Sequence, residues 1–475
     1  MCRTRGRKVR QASVTSPIIS SPIEFSSSED QQPEKYKQEV EPPIVSPPTM
    51  SQRSESSKAP SSSGSAQNVP SRIELTATER EQPKWGDDNE NFDAIYEQTN
   101  EQEIGNVKQK HGSVLKHLFS QVKPGMDLTK ITLPTFILER RSLLEMYADF
   151  FAHPDDFVHA TDLQNPQDRF IAVVRYYLSA FYPARKSGVA KKPYNPVLGE
   201  TFRCRWTVPD IPLSGQTTKS GPFPGSDVNQ VTFLAEQVSH HPPVSAFYAE
   251  HPQKKISLSA QIWTKSSFYG LSMSIGVSNI GNATLTLHEH GENYVCNFPD
   301  GYGRSILGKP WIELGGKVEI RCEETGYHAD IEFLTKPMIG GHAHKIAGSV
   351  YKQNVRKPIM TLRGEWNGVI YAKPYKGKEE LFTDVTDKPD VKKECLPIAR
   401  QGDRESRRLW RHVTVGLYRD NIEMATSAKK WIEQRQRKEA QELAANRVAH
   451  KPKFFSKTNG DDAQWVFNDQ LADRL

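Results

Sequence analysis

The pattern of apolar and polar residues changes along the chain and separates three stretches. From about residue 104 to 181, apolar side chains recur every three or four positions, which is the spacing of amphipathic helices. From about residue 198 to 375 they alternate with polar residues, as in strands with one buried face. The last 65 residues return to a helical pattern. We therefore predict an α+β fold built around a large antiparallel sheet.

Three helices are predicted ahead of the sheet. The second begins at the capping-box pattern of Ser142 and Glu145. The third begins after Asn165, which precedes a proline at the first helical position. The first helix carries an apolar stripe formed by Val114, Leu115, Leu118, Phe119 and Val122. Its spacing alone predicts that this stripe faces the core.

Strand alternation is clearest in KISLSAQIW, where Ile256, Leu258, Ala260 and Ile262 take every second position. Similar segments are closely spaced and separated by turn signals such as NIGN and EETG, which predicts an antiparallel meander. A sheet of this length tends to close on itself, and a barrel of more than about eight strands has an interior wide enough for a ligand. The pattern therefore predicts a cavity.

Residues 1–103 differ from the rest of the chain in composition. They are rich in Ser, Pro, Gln and Glu and poor in large apolar residues, so we predict a disordered tail that cannot offset the entropy of ordering. In the whole chain, 63 basic and 57 acidic residues give a net charge of +6, which suits an anionic membrane surface better than nucleic acid. No apolar run approaches the roughly 20 residues that cross a bilayer, so we expect membrane contact to be peripheral.

Sequence motifs of metal sites and enzymes are missing. The pairs His288/His290 and His342/His344 would each share a strand face, but no third ligand stands at a suitable spacing. There is no GxSxG nucleophile motif and no glycine-rich phosphate loop. The five cysteines lack CxxC spacing, which indicates a reducing, cytosolic setting. We therefore predict no enzymatic activity, no metal and no cofactor.

The stretch EQVSHHPPVSAFYAE, residues 236–250, sets two histidines before two prolines at the end of a predicted strand. Because proline lacks a backbone donor and restricts the residue before it, Pro242 and Pro243 should end the strand at a bend. Two interpretations remain open from the residues alone. Either His240 and His241 donate hydrogen bonds to an anion at the barrel mouth, or they are rim residues bonded to the backbone.

Five stretches together carry a family resemblance: EQVSHHPP, KKPYNPVLGE (191–200), LPTFILERRSLLEMYADF (133–150), YGRSILGKPWIELGG (302–316) and GEWNG (364–368). They resemble the oxysterol-binding protein-related family of lipid-transfer proteins, and most of all the subgroup around oxysterol-binding protein-related protein nine. The resemblance covers about residues 104–475. It implies a large incomplete antiparallel β-barrel that encloses a hydrophobic lipid tunnel, with an N-terminal lid and flanking helices.

The resemblance also implies a function. Many family members extract phosphatidylinositol 4-phosphate and exchange it for a second lipid between membranes, here phosphatidylserine or sterol. The alternative is a phosphoinositide or sterol sensor that signals without bulk transfer. Carried over by motif, the residues around the phosphorylated head group are Lys192, Asn195, His240, His241, Lys429, Glu433 and Arg437. The residues of the lid and acyl-chain site are Val114, Leu115, Leu118, Phe119, Leu133, Phe136 and Ile137.

Spacing alone gives the helical series a plainer interpretation, because Lys429, Glu433 and Arg437 one turn apart are typical of a solvated, ion-paired stripe. The resemblance further implies a cytoplasmic protein that contacts anionic membranes peripherally, at the endoplasmic reticulum and at Golgi or endosomal membranes, with no nucleic-acid partner. The segment DDNENFDAIYEQ (87–98) is similar to an acidic-tract motif that binds an endoplasmic reticulum receptor, although Asn91 stands where an aromatic is expected. The alternative is an ordinary acidic linker.

Overall fold

A computed structural model describes residues 73–86, 90–98, 135–185, 191–269, 274–304, 311–337, 339–460 and 463–475. The predicted stripe within 114–122, Leu133 and residues 1–72 of the predicted tail lie outside these ranges. Within them, no helix is both long and apolar enough to cross a membrane.

The described residues form eight α-helices, six short 3-10 helices and seventeen strands. The α-helices are α1 Ala77–Arg80, α2 Phe92–Glu97, α3 Leu143–Ala148, α4 Pro154–His159, α5 Pro166–Ser179, α6 Ser406–Leu409, α7 Arg411–Tyr418 and α8 Ile422–Ala445. The 3-10 helices are Thr135–Ile137, Asp149–Phe151, Ala160–Asp162, Pro183–Arg185, Ile398–Arg400 and Leu471–Arg474. The strands are β1 Leu138–Ser142, β2 Lys192–Tyr194, β3 Thr201–Thr207, β4 Gln230–His240, β5 Pro243–His251, β6 Ile256–Tyr269, β7 Ser274–Leu287, β8 Glu292–Asn297, β9 Asp300–Arg304, β10 Trp311–Cys322, β11 Tyr327–Leu334, β12 Lys345–Lys352, β13 Met360–Glu365, β14 Val369–Pro374, β15 Glu380–Asp384, β16 Phe455–Lys457 and β17 Trp465–Phe467.

Thirteen of the strands form one antiparallel sheet. Its order is β15-β14-β13-β12-β11-β10-β8-β7-β6-β5-β4-β3, and β9 pairs with both β7 and β10. Nearly all strands that are adjacent in the sheet are also consecutive in sequence, as in the predicted meander. In the part of the chain that the structure describes, the end strands β3 and β15 are not paired with each other. The predicted α+β fold, a large incomplete antiparallel barrel with flanking helices, is confirmed.

The sheet wraps around the helices that precede it. Helix α3 contacts β3 and β4, whereas α5 contacts β11 and β15. Strands from opposite ends of the sheet therefore pack against the same group of helices. Aromatic side chains fill the space between them: Tyr147 stacks on Phe247 at 5.5 Å between ring centroids, and Phe181 meets Phe333 edge to face at 5.4 Å. The alternating residues of β6 predicted to be buried are at most 6% exposed.

The predicted helix starts are mostly confirmed. Asn165 caps α5 by accepting a hydrogen bond from the backbone N–H of Gln167 at 2.8 Å. Ser142 caps α3, but the reciprocal half of the predicted capping box is not formed. Glu145 instead pairs with Arg407 at 2.6 Å, since a buried carboxylate gains more from a cation than from one backbone donor.

The structure corrects the N-terminal part of the predicted domain division. Residues 73–86 and 90–98, assigned to the disordered tail of 1–103, form α1 and α2 and pack on the C-terminal helices. Phe92 and Ile95 are each 6% exposed and lie against Ile398 and Val415. Average composition missed this segment because a few well-placed apolar residues suffice when a larger surface is available to cover them.

The last 65 residues are also not wholly helical. After α8, strands β16 and β17 form a hairpin that packs on the outer face of β4 and β5. The ring of Phe467 stacks on Tyr248 at 4.7 Å, and the Tyr248 hydroxyl accepts a hydrogen bond from the Leu471 backbone N–H at 2.9 Å. Strands of three residues are too short to show the alternating pattern that predicts a strand.

Two truncations should separate the packed segment from the rest of the predicted tail. Deleting residues 1–72 should leave the thermal unfolding midpoint nearly unchanged, because the predicted tail lacks core-forming residues. Deleting residues 1–98 also removes α1 and α2 and should lower the midpoint by several degrees, since each kcal/mol shifts it by about 2–4 °C in medium-sized domains. Differential scanning calorimetry of both proteins measures this, and equal midpoints would contradict the packing of residues 73–86 and 90–98.

Candidate phosphoinositide site

A cavity of about 1470 Å³ lies between the start of β3, the turn after β4 and one face of α8. All seven residues predicted to surround a phosphorylated head group line it: Lys192, Asn195, His240, His241, Lys429, Glu433 and Arg437. They come from three segments that are more than 40 residues apart in sequence. The fold therefore brings together the whole predicted set, while the ligand itself stays a prediction.

The two histidines stand where β4 ends. Strand β4 stops at His240 and β5 begins at Pro243, after a turn that contains a cis His241–Pro242 peptide bond. The two rings meet edge to face, with 4.7 Å between their centroids. His240 is half-buried, whereas His241 is exposed. The predicted strand end at the prolines is confirmed.

The surroundings of His240 favour one of its two interpretations. Its Nδ1 atom is buried and has no hydrogen-bond partner among the described residues, so this nitrogen is not bonded to the backbone. Burial, and secondarily the neighbouring His241, lowers the pKa of His240, which favours the neutral form of the ring. A neutral ring with an unused nitrogen is available to a ligand, as the anion-donor interpretation requires.

Strand β2 carries Lys192 and is followed directly by Asn195. This strand pairs in parallel with β1, with Leu138 opposite Lys192. Tyr194 anchors the strand from beneath, because its ring stacks on Trp410 at 4.7 Å and its hydroxyl bonds with Thr414 at 2.9 Å. Tyr194 is buried, whereas Lys192 and Asn195 on either side of it are exposed.

The residue that joins these elements is Glu200, which sequence reasoning missed. Its fully buried carboxylate accepts hydrogen bonds from Ser142 (2.5 Å), Ser406 (2.7 Å), Trp410 (2.9 Å) and the Val197 backbone N–H (3.1 Å). Burial raises the pKa of Glu200, and these bonds oppose that rise. The only signal in the sequence was its position at the end of KKPYNPVLGE.

Helix α8 supplies the cationic wall. Lys429 Nζ lies 2.5 Å from the Glu433 carboxylate, and Arg437 lies 3.8 Å from the same group. The exposed fractions of the three side chains are 16%, 33% and 69%, so the series runs from a sheltered end to a solvated end. Glu433 therefore lies between two cations on the same side of the helix. The interpretation as a fully solvated stripe fits Arg437 but not Lys429.

The far wall was not predicted. Residues that follow α8 line the cavity, and the buried Glu236 holds them by accepting hydrogen bonds from the backbone N–H groups of Lys453 (2.7 Å) and Phe454 (2.8 Å). His450 packs on Gly199, where φ is +74° and an added Cβ would lie 3.0 Å from the imidazole. Glycine is therefore required there both for its conformation and for the close approach.

Two of the predicted lid and acyl-chain residues are described. Phe136 and Ile137 lie in the 3-10 helix Thr135–Ile137, beside the start of α8, where Thr135 bonds with Thr426 at 2.8 Å. Neither of them lines the cavity, whereas the next residue, Leu138, does. The others, Val114, Leu115, Leu118, Phe119 and Leu133, lie outside the described residues.

The acidic-tract segment is partly described. Its Phe92 is buried in α2, and the Asp93 carboxylate accepts a hydrogen bond from the Ile398 backbone N–H at 3.0 Å. A partner that recognises Phe92 would first have to release it from this packing. No group of three or more His, Cys, Asp and Glu side chains that could hold a metal is found in the described ranges.

The chain is similar to known proteins over most of its length. The family model of oxysterol-binding protein matches residues 117–416. Over 385 residues, 81% of this chain, it is 50% identical to oxysterol-binding protein-related protein 9 of Homo sapiens, of which the match covers 52%. It is 45% identical to the human oxysterol-binding protein-related protein 11 over 390 residues, which are 78% of this chain and 51% of that protein. The chain thus spans about half the length of these curated relatives.

Two solved structures share the fold. The Osh1 ORD domain in complex with ergosterol aligns with a TM-score of 0.60 and 23% identity, covering 79% of this chain and 96% of that one. The Osh3 ORD of Saccharomyces cerevisiae in complex with PI(4)P aligns with a TM-score of 0.57 and 21% identity, covering 76% and 91%. The predicted resemblance is confirmed: since the family model matches more than half of the chain, the chain belongs to the oxysterol-binding protein family.

Proposed function

We propose that this protein extracts phosphatidylinositol 4-phosphate from a membrane and exchanges it for a second lipid, phosphatidylserine or sterol. The observation that carries the proposal is the single cavity lined by all seven predicted head-group residues. The solved relatives in complex with PI(4)P and with ergosterol support the two ligand classes. The activity is transport, without a chemical step.

The charges of the cavity suit a phosphorylated head group. Charge-assisted hydrogen bonds from Lys, Arg and His to phosphate are the strong kind, and they are strongest where water is partly excluded. Among Lys429, Glu433 and Arg437 on α8, the side chain of Lys429 is the least exposed to solvent. A phosphate beside His240 would oppose the effect of burial and raise the pKa of that ring, so ligand binding should draw a proton onto it.

We also propose peripheral contact with anionic membranes at the endoplasmic reticulum and at Golgi or endosomal membranes, from the cytoplasmic side. The net charge of +6 supports attraction to such surfaces. Binding of an endoplasmic reticulum receptor to the acidic tract would require Phe92 to leave its packed position.

A vesicle assay tests the function. Donor vesicles contain phosphatidylinositol 4-phosphate, acceptor vesicles contain phosphatidylserine or a sterol, and the protein is present in much smaller amount than the lipid. Repeated transfer of both lipids in opposite directions is expected. Extraction that stops at one lipid per protein would indicate a sensor, and transfer of neither lipid would contradict the proposal.

Replacement of both histidines should remove phosphoinositide extraction without unfolding the protein. In His240→Ala with His241→Ala, the cavity loses two donors from positions that do not support the core, because one ring is exposed and the other is half-buried. Extraction from vesicles and the thermal midpoint are measured together. The control is His159→Ala with His342→Ala, two exposed histidines that do not line the cavity. Extraction at the wild-type level, or a large drop in the midpoint, would overturn the assignment.

A further inference from the structure

Helix α8 presents three different faces. Ala425, Ala428 and Ile432 are buried against the neighbouring helices, and they are its only buried residues. Lys429 and Glu433 face the cavity. This arrangement fixes one side of the helix in the core and aims a second side at the candidate ligand site.

The third face carries Ser427 and Trp431. These residues are one turn apart, like Lys429 and Glu433, but the two pairs are offset by two positions. At about 100° per residue, an offset of two positions turns the helix by about 200°, so the two pairs project from opposite sides. Whatever packs on Ser427 and Trp431 therefore supports the helix from behind the cationic wall.

Trp85, from the N-terminal segment, packs on that back face. Its indole N–H donates a hydrogen bond to the Ser427 hydroxyl at 3.2 Å, and its ring meets Trp431 edge to face at 6.3 Å. The same ring lies 5.3 Å from His412 on α7. Trp85 thus connects α7 with α8, although it does not line the cavity itself.

The segment around Trp85 is fastened on both sides. On one side, the buried Glu79 carboxylate accepts hydrogen bonds from Arg408 at 2.6 Å and from Arg411 at 2.9 Å. On the other side, Glu90 pairs with Arg419 and the Phe92 ring meets His412 at 5.6 Å. Contacts on both sides of Trp85 therefore anchor its segment to the C-terminal helices.

We propose that residues 73–86 and 90–98 act as a clamp that sets the position of α8, and that Trp85 is the positioning residue through which the clamp controls affinity for a phosphorylated head group. This inference rests on the proposed function, and it extends that function to a segment outside the cavity. Lys429 and Glu433 move with the helix, so their mutual pairing does not depend on the clamp. The distances from Lys429 and Glu433 to His240 and Lys192, in contrast, depend on the clamp. These distances decide whether one phosphate can contact both α8 and the other residues of the site.

The test uses the full chain with Trp85→Ala, the conservative variant Trp85→Phe, and Lys84→Ala as an exposed control on the same segment. Extraction is measured with phosphatidylcholine vesicles that contain phosphatidylinositol 4-phosphate, and separately with vesicles that contain sterol. Trp85→Ala should weaken phosphoinositide extraction by about 2- to 30-fold, the range seen for coupled residues without ligand contact. Trp85→Phe should restore most of it, whereas sterol extraction and the Lys84→Ala variant should match wild type.

Hydrogen exchange of the ligand-free protein gives a readout that is independent of the ligand. Loss of the clamp should speed amide exchange within Ile422–Ala445 and leave the strands of the large sheet unchanged. Unchanged exchange in α8 would overturn the clamp, and so would equal losses of both lipids. If wild-type protein extracts no phosphoinositide, the proposed function fails, and the exchange result alone then decides the clamp.

Discussion

Lys429→Glu should lower the affinity for phosphatidylinositol 4-phosphate by at least about 30-fold, which corresponds to about 2 kcal/mol. Lys429 is the most sheltered cation of the α8 series, at 16% exposure, and it lies 2.5 Å from Glu433. Its replacement by a carboxylate removes one donor, adds repulsion toward the phosphate and places two like charges one turn apart. Extraction of each lipid from vesicles measures the effect, with circular dichroism to establish folding.

The matched control for this charge reversal is Lys438→Glu. Lys438 lies on the same helix and undergoes the same change in charge, but it is exposed and does not line the cavity. Lys438→Glu should therefore extract phosphatidylinositol 4-phosphate as well as wild type does. Both variants should extract the second lipid normally. Parallel loss of both lipids from folded Lys429→Glu would mean that Lys429 belongs to a general membrane-docking surface.

Glu79→Ala should destabilise the protein by about 3–5 kcal/mol, because it leaves two buried guanidinium groups without a counter-charge. Arg408 and Arg411 are 5% and 2% exposed, and both are paired with the Glu79 carboxylate. The midpoint of urea-induced unfolding measures the loss. Glu81→Ala is the control, since Glu81 is exposed and only two residues away. A midpoint equal to wild type would show that the N-terminal segment is not part of the folded unit.

The same ion pairs predict a pH dependence. Burial alone would raise the pKa of Glu79, but the hydrogen bonds and charges of Arg408 and Arg411 lower it from 4.5 to about 2. A carboxylate whose folded-state pKa is depressed stabilises the fold fully above its unfolded pKa. The Glu79 contribution is therefore present at neutral pH and is lost as the pH falls from about 4.5 to 2. Wild type and Glu79→Ala should converge in stability across this window.

The elements of the fold were largely accessible from the sequence. Alternation in β6 and its neighbours predicted a meander because burial of one face of a strand imposes a period of two. Helices α5 and α8 were visible from a capping residue and from spacing. Helices α1 and α2 and the β16–β17 hairpin escaped prediction because segments of three to six residues are too short to establish a period. Helix α3 is equally short, but it was predicted from its capping residue Ser142.

The candidate site divides in the same way. His240 and His241 could be found because a pair of prolines fixes where the strand ends, and that is a local property. Glu200 could not be found, since its role depends on Ser142, Ser406 and Trp410, which are up to 210 residues away in sequence. No local pattern reveals which buried carboxylate will meet several donors at once.

By itself, then, the sequence determined the α+β class, the order of the strands, the family and the set of seven candidate head-group residues, because local periodicity and short motifs carry that information. Only the tertiary structure decided that these seven line one cavity, that Lys429 is sheltered while Arg437 is solvated, and that residues 73–86 and 90–98 belong to the folded unit. Each of these depends on contacts between segments that are distant along the chain. Burial and ion pairing are set by such contacts, so they emerge only when the whole chain has folded.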